Sequence, residues 1–219
     1  MTLDQARQAY EASVFGGDPT GLPAAARGLD AIEAQLCLER GKLIHAAFLN
    51  ERGDEDPAEL ALFERARELW AALGDPRGEG EATFWAGCFH QVVRDDDATA
   101  RPLFERAREL SQSAGDRLML SYTLRHLGFS EHLAGRLDAA RAYFEESSAL
   151  RRALGFDAGV AANLVGLAYI AAEQGRPGDA AATLDEAGEL AAAVGAHGIA
   201  RLIAQARLEL AQDPSTSNS

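Results

Sequence analysis

The sequence predicts an all-α fold, a right-handed α-solenoid built from antiparallel helix pairs. Three observations carry this. The stretch Phe63-Glu64-Arg65-Ala66-Arg67-Glu68-Leu69 returns unchanged as Phe104-Glu105-Arg106-Ala107-Arg108-Glu109-Leu110. Eroded copies follow at Phe144–Leu150 and Leu184–Leu190, so the spacings are 41, 40 and 40 residues. Self-similarity at a fixed period in this range marks a stack of supersecondary units. Gly74, Gly115, Gly155 and Gly195 recur at the same intervals, each where a helix C-terminus wants a residue at positive φ. No stretch has the alternating, β-branched pattern of a strand.

The elements follow in chain order. Asp4 is the predicted N-cap of a first helix reaching about Val14, with Ala6 and Tyr10 on one face. Pro19, Gly21, Pro23 and Gly28 predict a loop over 18–29, with at most a short helix from Pro23. A long helix is predicted from about Asp30 to Asn50, its apolar face set by Ile32, Leu36, Leu43 and Ala47. Pro57 sits at a first helical position, where its missing N–H costs nothing. Helices are then predicted at 57–73, 79–94, 99–114, 117–134, 137–154, 158–174 and 177–194, with Gly135 and Gly175 closing the first helix of two pairs. Residues 197–211 form a capping helix, with Ile199, Leu202, Ile203, Ala206 and Leu210 on one side. The organisation is thus a non-repeat segment over 1–32, a repeat array over 33–211 and a polar tail over 212–219, expected to be disordered.

Composition narrows the function classes. The 219 residues carry a net charge of −13, the opposite of the basic stripe a nucleic-acid binder needs. Met1-Thr2-Leu3-Asp4-Gln5 opens into a polar helix, so no targeting segment is expected. The weakly polar run Ala158–Ala172 is too short to span a bilayer. Cys37 and Cys88 lie inside apolar helical patterns and read as two reduced thiols in a cytoplasmic protein.

The helix pairs resemble tetratricopeptide repeats, whose pattern is W-x2-L-G-x2-Y, then A-x3-F, then P. Leu124-x2-Leu127-Gly128 with Ala140-x3-Phe144 matches best. Leu164-x2-Leu167-Ala168 with Ala180-x3-Leu184 is looser, Phe84-x2-Gly87-Cys88 with Ala100-x3-Phe104 looser again, and Leu43-x2-Ala46-Ala47 with Glu59-x3-Phe63 the loosest. The tyrosine position holds Asn50, Gln91, Glu131 and Ala171, and the terminal proline is absent. The period of 40 in place of 34 lengthens the helices by about a turn in total. This long variety is similar to the repeat regions of large bacterial ATP-dependent transcription activators.

The resemblance implies that the first helix of each pair lines a concave surface. On that surface Phe48, Phe89, Phe129 and Tyr169 would recur at 41, 40 and 40 residues as an aromatic ladder. Trp85 and Tyr122 add rings, and Arg125 and His132 make the groove cationic at one point. An arginine there suits a carboxylate or phosphate. The same rings could instead pack repeat on repeat, and both readings stand at this point.

Signals of chemistry are thin. The P-loop, H-E-x-x-H, G-x-S-x-G and C-x-x-C patterns are all missing from the sequence. His126 and His132 lie six apart and point to different sides of a helix, so no metal site and no cofactor is expected. Glu131 is read as a carboxylate at a groove rim or paired with an arginine. The sequence therefore predicts a non-catalytic module that binds a protein or peptide partner, without nucleic acid or membrane. The alternative is a pocket for a small anionic or aromatic ligand, sensory or catalytic, in an enclosed solenoid. The sequence leaves the oligomeric state open.

Overall fold

The computed structural model describes residues 2–212; the tail predicted to be disordered falls, but for Gln212, outside the described residues. The chain is all-α. Among the described residues ten α-helices follow one another: α1 Leu3–Gly16, α2 Leu22–Asn50, α3 Pro57–Leu73, α4 Pro76–Cys88, α5 Asp97–Ser113, α6 Arg117–Leu133, α7 Leu137–Ala153, α8 Asp157–Glu173, α9 Pro177–Ala193 and α10 His197–Gln212. A π-helical turn, Phe89–Val93, continues α4. Consecutive helices pack on one another within two compact units, α1 to α5 and α6 to α10.

Local chemistry sets the boundaries. In the first half of the chain the turns are acid-capped. Asp56, Asp75, Asp96 and Asp116 each accept from a backbone N–H two or three residues on. Further on the caps change kind. Arg136, Phe156 and Arg176 precede their helices without a side-chain cap, and the preceding helix closes instead. Arg136 N–H donates to the Glu131 carbonyl and Gly135 N–H to that of His132, the paired bonds of a Schellman turn around a glycine at φ 71°.

Three expectations at the N-terminal end are corrected. Thr2, not Asp4, is the first N-cap, in a capping box with Gln5. Residues 22–29 are helical: Pro23 stands in the first turn of α2, where its ring is tolerated, so α2 runs unbroken through Gly28. Its buried face is Ala34, Leu38, Gly41 and His45, and Leu36, Leu43 and Ala47 face outward.

The core of each pair is one large side chain seated on a residue with little or none. Phe63, Phe104 and Phe144 are fully buried. A Cβ built on Gly41 would lie 2.5 Å from the Phe63 ring; on Gly87 it would lie 2.7 Å from Phe104, and on Gly128 3.0 Å from Phe144. Leu184 takes the same place in the last pair, with buried Ala168 sixteen residues before it as Gly128 is before Phe144. Only the smallest residues let paired helices approach this closely.

The glycines expose an offset that equal sequence spacing hides. From the N-cap Asp75 to the left-handed Asp95 there are twenty residues; from Asp116 to Gly135, and from Phe156 to Gly175, there are nineteen. The additional residue is taken up in the π-turn, where Arg94 N–H bonds the Phe89 carbonyl five residues back. Asp95 then adopts φ 53°, where the later pairs have glycine.

Candidate functional site

Because of this offset, the four rings of the expected ladder do not share one structural position. Phe129 and Tyr169 each follow the small residue of their pair, Gly128 and Ala168. After Gly41 and Gly87 that position holds Lys42 and Cys88. Phe89 is therefore corrected: one place further on, in the π-turn, it is wholly buried with Leu38, Phe63 and Ala86 and offers no surface. Phe48 lies half-buried near the end of α2, with the Arg52 guanidinium 5.3 Å from its ring centre. Trp85 joins the same unit's aromatic cluster, stacked 6.0 Å from Phe63 and edge-on 5.4 Å from His45. His45 in turn meets the buried carboxylate of Glu59 at 2.7 Å.

The second unit brings the remaining residues together. There α6, α8 and α10, the first helices of successive hairpins and the cap, lie side by side, with α7 and α9 behind them. Ala158, Ala162, Val165 and Tyr169 of α8, each partly exposed, recur three or four apart and so form one face. Phe129 and Tyr169 stand partly buried at matching positions of α6 and α8. The Tyr169 hydroxyl donates to Glu209 of α10. Burial, then this carboxylate, pushes the phenol pKa up to about 12. His132 meets Glu173 at 2.8 Å. Each of these lateral ties spans one sequence period, 132 to 173 and 169 to 209.

Arg125 and Tyr122, also partly buried, are engaged within the same unit. Arg125 Nη1 donates to the Ala162 carbonyl at 2.7 Å and to Asn163 Oδ1 at 3.0 Å, and its guanidinium lies 4.6 Å from the Phe129 ring centre. Tyr122 packs 5.8 Å from Phe156, and Arg151 lies 4.9 Å from the Tyr122 ring centre.

The tetratricopeptide repeat family model matches residues 93–153 and, in a second register, 119–193. Residues 93–193 carry tetratricopeptide repeats. No curated protein matches the sequence. Tetratricopeptide repeats generally mediate protein–protein interaction or scaffolding, and the matched segment includes the face of α6 and α8.

Behind that face the tetratricopeptide array holds a polar cluster that sequence reading missed. Arg151 of α7 is 1% exposed. Its Nε donates to Ser121 Oγ, and its Nη1 to the Gly159 carbonyl and Asn163 Oδ1. Asn163 thus accepts from two guanidiniums, while its amide nitrogen donates to Ser147 Oγ at 2.8 Å and Ser148 Oγ at 3.2 Å. Its amide is engaged internally and is not offered to a bound backbone. The acceptors of both guanidiniums are neutral. Burial lowers the Arg125 pKa to about 9, with the Arg151 charge adding to the effect, and burial lowers Arg151 to about 10. Both remain cationic at neutral pH. In the sequence Arg151 reads as surface, because it adjoins Arg152 on a charged helix.

Glu131 is buried and pairs with Arg136, so a structural ion pair stands at that position. Burial raises the Cys88 thiol well above its ordinary value, with Glu59 adding to it, and burial also raises Cys37. Both are poor nucleophiles at neutral pH. Among the described residues no three His, Cys, Asp or Glu side chains are placed to hold a metal ion, and no helix is long and apolar enough to cross a membrane.

Proposed function

We propose that this tetratricopeptide array is a non-catalytic binding module that holds an extended or helical segment of a partner protein along the face of α6, α8 and α10. The supporting observation is the pair Phe129 and Tyr169, partly buried but each keeping some surface, at matching positions of neighbouring first helices. Tyr169 is fixed by Glu209, and His132 by Glu173. Rings supply contact area at low entropic cost, and fixing them beforehand lowers that cost further. Glu173 and Glu209 give the face a negative rim, which suits a segment carrying lysine or arginine beside its apolar residues. The test uses Tyr169→Ala and Glu173→Ala, judged by capture of partners from the native host and by thermal melting. Loss of a captured protein while each variant still melts as a cooperative fold supports the reading. Capture unaffected by both substitutions together overturns it.

A second reading, a small anionic ligand, is favoured by the two guanidiniums with neutral acceptors. The Tyr122 and Phe156 rings that cover Arg151 also line a hollow of about 390 Å³ with Leu118 and Leu154. A thermal-shift screen of small carboxylates and phosphates, with Arg151→Met as control, tests it; no stabilisation by any of them rejects it.

A further inference from the structure

The outward side of α2 carries a heptad. Leu22, Leu29, Leu36 and Leu43 are spaced by seven and are 40%, 40%, 48% and 72% exposed. Four residues after each comes Ala26, Glu33, Arg40 or Ala47, all exposed as well. Leucine thus recurs as it does at one core position of a two-stranded coiled coil, and small or charged residues hold the second position. The opposite side of α2 buries Ala34, Leu38, Gly41 and His45 against the rest of its unit; on the leucine side the small Ala25 is buried, and the leucines themselves stay exposed. On α1, Leu3 and Tyr10, also seven apart, are 66% and 57% exposed. The helix turns only Ala6, Ala9 and Ser13 partly inward. A monomer leaves this apolar surface in water, an arrangement that marks an interaction site.

We infer that α2 pairs with α2 of a second copy of this chain, in antiparallel orientation about a two-fold axis near residues 34 and 35. Two features select this occupant. The seam is complementary to itself, because a leucine heptad is filled by another heptad of the same pitch. The charges choose the direction. A parallel pair sets Glu33 against Glu33 and Arg40 against Arg40. The antiparallel pair brings each Glu33 within about one turn, roughly 6 Å along the axis, of the second copy's Arg40. Glu33 already binds Arg65 at 2.8 Å and stays 48% exposed, so it can accept a second guanidinium. From Leu22 to Ala47 the seam extends for about 38 Å, and helix contact over that length buries on the order of 1,000 Å² in total, the threshold for specific association. This surface lies in the other unit from the proposed peptide face, and the inference stands apart from it.

Sedimentation equilibrium on the intact chain, from micromolar to near-millimolar concentration, tests the pairing. The wild type is expected to be dimeric, and Leu29→Glu/Leu36→Glu monomeric with an unchanged helical circular-dichroism spectrum. For direction, a spin label on Ala24→Cys in a Cys37→Ser background should report about 30 Å between copies, against about 10 Å for a parallel pair. A wild type that stays monomeric throughout overturns the inference and leaves the seam to a different protein. A dimer that survives the double substitution, or the short label distance, overturns it too.

Discussion

The Tyr169 hydroxyl donates to the Glu209 carboxylate forty residues further on, tying the last repeat to the terminal helix. The phenol is raised to about 12 in the fold against about 10 in the unfolded chain. Its contribution to stability is therefore whole below pH 10 and is lost as pH rises from about 10 to about 12. Absorbance titration should show the Tyr169 phenol ionising late. Glu209→Gln should bring that midpoint down while leaving it above the unfolded value, since burial is the larger cause.

Phe144 should be the most costly ring to lose from the second unit. It is fully buried on Gly128 and meets Phe129 edge-on at 5.2 Å. Phe144→Ala is expected to cost about 3–5 kcal/mol in chemical denaturation. Gly128→Val should also destabilise, by overpacking, because even a Cβ already touches the Phe144 ring at 3.0 Å.

Asp95→Gly should stabilise. Asp95 holds φ 53°, which glycine adopts without strain. The gain expected in the denaturation midpoint corresponds to about 1 kcal/mol. The same substitution at Asp96, which caps α5 by accepting from Thr99 N–H, should instead lose a few tenths of a kcal/mol.

The two guanidiniums behind the proposed binding face make a sharper test. Asn163→Leu removes the one acceptor shared by Arg125 and Arg151, and is expected to cost about 3–5 kcal/mol because it leaves buried charge poorly solvated. Adding Arg151→Met should recover much of that loss. A double mutant no more stable than Asn163→Leu alone would show that the charge of Arg151 is not what Asn163 compensates.

Much of the fold was legible because repetition repeats its own punctuation. Every glycine expected to close a helix lies at positive φ, and Phe104 and Phe144 are buried where the pattern put them. The site was less legible, for two physical reasons. Counting forty residues from Phe129 lands on Phe89, but a helix one residue longer turns that ring into the core. Arginine in sequence reads as solvent-facing, yet Arg151 is buried because serine, asparagine and a carbonyl from neighbouring helices converge on it. At α2 the error had another source. Apolar spacing alone cannot say which of two apolar sides meets the core, and the leucines took the outer one.

The π-turn at Phe89–Val93 has a consequence for how such a chain tolerates change in length. Its additional residue is absorbed before the helix ends, and Phe104 of the next helix still finds Gly87. A one-residue insertion in an early hairpin is thus confined to the helix where it occurred, and phase is not handed down the array. Stacks that quarantine indels in this way can lengthen by tandem duplication of imperfect units, since each new copy has only to fit the one beside it.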